Sequence, residues 1–223
     1  MKLAKPCFDI GLMTDAIEAV EPFWRDRLRL LPDHVLPIEG VYAQHRYRIG
    51  DSIVKLNARP VDAGARSGYH ELLIASPSAT GCTSLADADG NRVSIVPVGY
   101  RGVTRIAMRI LVKDLAVHRH YYASVLGLDQ ASENGFCVGD DLILIETGVP
   151  GELEQSLWGR GWRYLTLQIF DVRVEHARYL AKGGASGMPI QQLRDIARVA
   201  MVRDPDGNWL ELSQRASLTG PLE

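Results

Sequence analysis

Arg203-Asp204-Pro205-Asp206-Gly207-Asn208-Trp209-Leu210-Glu211-Leu212 lies near the end of the chain, and a worn copy, Asp87-Ala88-Asp89-Gly90-Asn91-Arg92-Val93-Ser94-Ile95, lies much earlier. Each is a turn cluster that runs directly into an alternating strand. Asp-Gly and Gly-Asn suit turn positions with positive φ, and the residues after them alternate as a half-buried strand does. The copies end in different chemistry, Glu211 in one and Ser94 in the other. A repeat that keeps its turn and changes its last strand implies a duplicated scaffold with one active half.

The repeat extends outward from the turns. Phe8-Asp9-Ile10-Gly11-Leu12-Met13-Thr14 leads to Asp15 and a helix carrying Phe23-Trp24 and ending at Leu28-Arg29-Leu30. Ala107-Met108-Arg109-Ile110-Leu111-Val112-Lys113 leads to Asp114 and a helix carrying Tyr121-Tyr122 and ending at Leu126-Gly127-Leu128. Trp162 to Phe170 leads to Asp171 and a helix that Gly183-Gly184 stops. The segment after His70-Glu71-Leu72-Leu73-Ile74 runs into Ser76-Pro77-Ser78, so its helix is missing. The pattern predicts an α+β chain of four βαβββ-like units, at roughly 7–58, 69–97, 104–147 and 162–213, with the second abbreviated. They are expected to pair as two tandem domains, 1–100 and 101–223, with a boundary at Tyr100-Arg101-Gly102 and a linker from Pro150-Gly151 to Arg160-Gly161.

The chain has 223 residues, 46% of them hydrophobic, enough for one large domain or two of ordinary size. A net charge of -2 gives no electrostatic case for nucleic acid or an anionic membrane. No apolar run approaches the roughly 20 residues of a membrane span. Met1-Lys2-Leu3-Ala4-Lys5-Pro6 lacks the apolar core of a signal peptide. Cys7, Cys82 and Cys137 are odd in number and not in metal-knuckle spacing. A cytoplasmic protein with free thiols is expected.

The ordered combination of strand, Asp-led helix with an aromatic pair, Leu-Gly-Leu, and Asp-Pro-Asp-Gly-Asn before a strand with Glu resembles the vicinal oxygen chelate superfamily. That superfamily includes glyoxalase I, extradiol dioxygenases and bleomycin-resistance proteins. The resemblance spans nearly the whole chain and is stronger over 104–213. It implies paired units curled into half-open barrels around a divalent metal such as iron, manganese or zinc, a small-molecule substrate, and often a homodimer. Metal ligands would come from the first and last strands of the units.

Glu211 stands at the family's carboxylate ligand position, and alternation puts Trp209, Glu211 and Ser213 on one face. It is a candidate ligand or general base, or else a hydrogen-bonded strand residue. The first-strand ligand, usually His, should lie seven residues before the helix-starting Asp. Those places hold Phe8, Ala107 and Tyr164, so the usual two-His-one-carboxylate set is absent, and a metal-free route fits as well as a metal route. Glu146 is a weaker metal candidate, two residues beyond the place that Leu144 occupies. Arg109 is expected to pair with Glu211 or bind a substrate oxyanion, or to form a structural ion pair. Tyr164 is a proton donor or a wall. Trp162, Trp209 and Gln168 are expected to line the same cavity, the two Trp otherwise being core. His45, Lys55 and Asn57 are expected to make a polar pocket in the N-terminal half or else, with Arg46 and Arg48 nearby, an exposed charged strand face. His118 and His120 do not share a helix face, His176 is expected at the surface and His34 in a loop. The tail from Ser213 to Pro221 caps a barrel mouth or reaches a partner subunit. These features point to a lyase, isomerase or ring-modifying enzyme, with a non-catalytic sequestering protein as the alternative.

Overall fold

Alternation on the first strand sets the architecture. Phe8, Ile10 and Leu12 are almost wholly buried in the main core, so Asp9, Gly11 and Met13 face the other side of the sheet. The same holds where Leu165, Leu167 and Ile169, or Leu210 and Leu212, enter that core. The structure is a computed structural model and describes residues 1–38, 41–64, 66–150 and 155–222. Residues 151–154 of the expected linker lie outside the described residues.

The first unit contains β1 (Leu3–Thr14), α1 (Ile17–Pro22, continued by a wide π turn over Phe23–Arg27), β2 (Leu31–Ile38), β3 (Tyr42–Ile49) and β4 (Ser52–Ala58). The second contains β5 (Tyr69–Ser76), β6 (Thr83–Ala86) and β7 (Arg92–Pro97), with no helix. The third contains β8 (Ile106–Val112), α2 (Leu115–His120, continued over Tyr121–Leu126), β9 (Asp129–Ser132), β10 (Gly135–Val138) and β11 (Asp141–Thr147). The fourth contains β12 (Gly161–Ile169), α3 (Val172–Ala181), β13 (Ala185–Leu193), β14 (Ala197–Arg203) and β15 (Trp209–Arg215), followed by α4 (Ala216–Thr219). The expected four units, the abbreviated second one included, are the units observed. No helix among the described residues is long and apolar enough to cross a membrane.

Two mixed sheets result, in the orders β13-β14-β15-β12-β1-β4-β3-β2 and β6-β7-β5-β8-β11-β10-β9. Within each unit the last strand lies parallel to the first, as β4 does to β1 and β15 to β12. The units join across antiparallel first strands, β1 with β12 and β5 with β8. The first unit therefore shares a sheet with the fourth, and the second with the third. Both sheets cross residue 100, so the sequence division there is not a division between sheets.

Asp114 and Asp171 cap α2 and α3 as expected, accepting from Val117 N and from Arg173 N and Val174 N. Asp15 does not cap α1. The N-cap is Ala16, and Asp15 instead pairs with Arg160 at 2.6 Å. His34 lies in β2 rather than in a loop, and His176 is 8% exposed rather than on the surface.

The repeated turn has a structural task. Asp87 accepts from Asp89 N, Asn91 N and Asn91 Nδ2, and from Trp24 Nε1 at 3.2 Å. Asp204 accepts from Asp206 N, Asn208 N and Asn208 Nδ2, and from the Tyr122 hydroxyl at 3.1 Å. The second member of each helical aromatic pair is thus pinned by the turn of the following unit. The two Asn side chains tie the halves together: Trp162 N donates to Asn91 Oδ1, and Gly68 N donates to Asn208 Oδ1.

Candidate functional site

The eight-stranded sheet curls around a cavity of about 360 Å³ to which all eight strands contribute side chains, a volume in the range of small-ligand sites. Its floor is polar. Lys55 on β4 donates to Thr166 Oγ1 at 2.6 Å, lies 3.7 Å from Glu211 Oε1, and sits over the Tyr164 ring at 5.3 Å. Asp9 on β1, close enough to act electrostatically on Lys55, accepts from Ile53 N at 2.9 Å, Lys5 Nζ at 2.6 Å and Gln168 Nε2 at 3.3 Å. Burial lowers the Lys55 pKa, with Glu211 and Asp9 opposing that shift. Burial alone would raise the Asp9 pKa, yet Lys55 and Lys5 outweigh it and hold the carboxyl below its ordinary range.

Tyr164 is held by a relay of amides. Asn57 Nδ2 donates to its hydroxyl at 3.3 Å, Gln44 Nε2 donates to Asn57 Oδ1 at 2.8 Å, and Arg46 Nη1 donates to Gln44 Oε1 at 2.8 Å. Burial and the nearby Glu211 raise the Tyr164 pKa well above the ordinary value, so the phenol keeps its proton. Gly11 makes room for this ring: a Cβ there would lie 2.1 Å from the Tyr164 ring carbons. The mouth is apolar, formed by residues such as Ile38, Leu157, Met188 and Met201, with Trp158 and Tyr42. Arg59 stacks on Trp158, its Cζ 4.0 Å from the ring centroid.

The structure gathers Glu211, Lys55, Tyr164 and Gln168 into this one cavity, with Asn57 directly behind Tyr164. Other expected members lie elsewhere. Arg109 does not meet Glu211. It is in the seven-stranded sheet, ion-paired with Glu71 and, at 2.6 Å, with Glu146, which also binds Arg101. That network accounts for Glu146 as the partner of two guanidiniums. His45 points to the opposite face of its strand and bonds Glu21 on α1 at 2.8 Å, because Gln44 and Arg46 occupy the cavity-facing alternation. Trp162 packs edge-on against Trp24 in the main core, 5.5 Å between centroids. Trp209 lies beneath the cavity beside Tyr164 and donates to Gln155 O. In the second sheet, Leu73, Ala107, Leu142 and Leu144 pack together beside a smaller cavity of about 160 Å³ that Glu71, Ser94 and Arg109 help to line.

Asp9, Arg46 and Arg215 escaped the sequence reading. Counting seven residues back from Asp15 lands on Phe8, a core residue, whereas counting back from the true cap, Ala16, lands on Asp9. The four first- and last-strand positions of this barrel are therefore Asp9, Lys55, Tyr164 and Glu211. They do not fit a divalent cation. The Lys55 ammonium already pairs with Glu211 and acts electrostatically on Asp9, and Asp9 is engaged by three donors of its own. Among the described residues no group of three or more His, Cys, Asp or Glu is placed to hold a metal.

Four units with parallel first and last strands, joined pairwise into curled sheets, are the vicinal oxygen chelate fold. Among solved structures, a glyoxalase I variant from Zea mays superposes with a TM-score of 0.70 at 15% identity, over 93% of this chain and 92% of that one. A proposed dioxygenase from Bacillus subtilis superposes with a TM-score of 0.69 at 11% identity, over 96% of this chain and 85% of that one. No protein-family model and no curated protein matches the sequence.

Proposed function

We propose that the chain is a small-molecule enzyme whose site is the cavity of the eight-stranded sheet. In this reading Glu211 is the general base, and Lys55 supplies the fixed positive charge that a metal supplies elsewhere in the fold. The observation that supports it is the Glu211–Lys55 pair, 3.7 Å apart on the floor of the cavity. The Glu211 carboxylate is partly open to the cavity, with no hydrogen bond among the described residues. It is free to accept a proton from a bound carbon acid or hydroxyl. The oxyanion that forms would be met by the Lys55 ammonium and the Tyr164 hydroxyl, both buried and fixed by the scaffold. The reaction class is proton abstraction next to an oxygen-bearing carbon, leading to isomerisation or elimination, on an oxygenated, largely aromatic substrate.

The test is exchange in D2O. A panel of aryl-substituted enolisable carbonyl compounds is followed by proton NMR with and without the protein. At least one member is expected to lose its α-proton faster than in buffer, and Glu211→Gln is expected to reduce that excess by a factor of about 10² or more. Exchange that survives Glu211→Gln unchanged removes Glu211 as the base.

The alternative is a protein that sequesters such a compound without transforming it. The mouth favours it: Trp158, Tyr42 and two methionines form an adaptable apolar wall suited to a flat ligand. A compound bound tightly and recovered unchanged after long incubation, with no exchange in any member of the panel, would favour this reading over catalysis.

A further inference from the structure

One end of the cavity carries more positive charge than its carboxylates account for. Asp9 is taken by Lys5, Asp33 by Arg48 and His34, and Glu211 by Lys55. Arg215 lines the cavity with no ion-pair partner among the described residues. Arg46 beside it is 6% exposed. Its Nε lies 3.5 Å from Asp33 without forming a hydrogen bond. The two guanidiniums are close enough for Arg215 to add to the fall in the Arg46 pKa that burial causes, and both act on Lys55 in the same sense. Like charges drawn together in a half-enclosed site, where Asp33 is shared among Arg46, Arg48 and His34 and no carboxylate among the described residues pairs with Arg215, cost stability unless something else neutralises them.

Gln168 adds a direction. Its Nε2 donates to Asp9, which fixes the amide so that Oε1 is the free end. That oxygen is buried, on a residue 2% exposed that lines the cavity, and has no hydrogen-bond partner. A buried acceptor left unmade costs roughly 1–3 kcal/mol, so it marks a place for a donor on a ligand. A guanidinium pair, an orphan acceptor and an apolar mouth line one cavity.

We propose that this cavity takes an aromatic organic acid, its anionic group held by Arg46 and Arg215 and a neighbouring hydroxyl or N–H donated to Gln168, with the ring in the apolar mouth. Guanidiniums match the oxygens of a carboxylate or a phosphate in a fork, and either headgroup satisfies the same two residues. This substrate class rests on the cavity being the functional site, as proposed above.

The experiment is calorimetric titration of the whole chain with 3-hydroxy-2-naphthoate, its neutral amide, and 2-naphthyl phosphate. An anionic probe is expected to bind at least about tenfold tighter than the amide, and to weaken as salt rises. Arg215→Gln should bring acid and amide within about threefold of each other, and Arg215→Lys should keep part of the preference. Arg215 is half-buried at a strand end, and a single cooperative thermal unfolding transition at or above the parent's temperature shows that each variant is folded. Tighter binding of the phosphate than of the carboxylate supports the site and assigns its headgroup. Equal binding of acid and amide, no binding of any probe at millimolar concentration, or a preference that survives Arg215→Gln overturns the proposal. If the preference holds while exchange is indifferent to Glu211→Gln, the catalytic reading fails and the anion site stands. Glu211-dependent exchange without the preference has the opposite meaning.

Discussion

Lys55 is buried in a strand whose other face is core, and its charge is the residue-scale cost of the site. Its pKa is depressed in the folded protein and ordinary, near 10.5, in the unfolded chain. Between those two values the unfolded state binds more protons, so stability rises with pH through that window and the penalty is fully present below it. Lys55→Met removes the titration. The stability of the variant relative to the parent is therefore expected to fall as pH rises towards 10. Denaturant unfolding at several pH values reads this, and a pH-independent difference would show that Lys55 is not held in the way described. Gly11 sets a second residue-scale expectation: Gly11→Ala forces Tyr164 off its place, because the added carbon meets the ring itself. Binding of a cavity ligand should weaken by more than thermal stability alone accounts for, and unchanged affinity would place Tyr164 outside the site. Glu211 and Gln168 were legible because period-two alternation fixes their face, and Lys55 because the repeat supplies its register. Asp9 was hidden by one residue, since Asp15 looks like a cap and bonds Arg160 instead. Arg46 and Arg215 had no signal in a single sequence, where a strand arginine reads as a solvated face.

At the scale of elements, the Asp-Gly-Asn turns hold helices to strands. Asp204 is fully surrounded by protein and receives two backbone and two side-chain donors. Burial raises its pKa, with Asn208, His118 and Tyr122 opposing. Asp204→Ala leaves Tyr122 and Asn208 with buried polar atoms unmet, at roughly 1–3 kcal/mol for each unsatisfied group. A loss of about 3 kcal/mol or more is expected in urea unfolding, and Asp87→Ala should cost a similar amount through Trp24 and Asn91. A change under about 1 kcal/mol at either position would mean that the turn is a solvated hairpin tip and not a buried hub. The turn was legible as a turn because its chemistry is local. Its partners were not, since Trp24 is 63 residues from Asp87 and Tyr122 is 82 from Asp204.

At the scale of the molecule, the repeat showed how many units there are and what each contains, but not which unit shares a sheet with which. Sheet partnership is decided by edges: β1 and β5 each need an antiparallel neighbour, and identical modules offer several. The chain resolves this by pairing β1 with β12 and β5 with β8, and the junction between the sheets carries a buried carboxyl that reports on it. Asp141 on β11 accepts from Phe8 N on β1 at 3.2 Å and from Ser52 Oγ on β4 at 2.8 Å, with Arg105 at 3.6 Å. Burial pushes its pKa up to about 6, against an ordinary 3.8. Between those values the folded state binds more protons than the unfolded one, so this group's contribution declines as pH rises from about 4 to 6. A shift of about two units corresponds to about 3 kcal/mol over the window. Asp141→Asn keeps an acceptor for Phe8 N, lets the Ser52 hydroxyl turn, and removes the titration. Its stability relative to the parent is therefore expected to climb by up to about 3 kcal/mol between pH 4 and pH 7. Because the carboxyl bridges strands of both sheets, the change should appear in a single unfolding transition and not in one half alone. A flat difference across that range, or two transitions of which one alone responds to pH, would mean that the two sheets unfold independently of this contact.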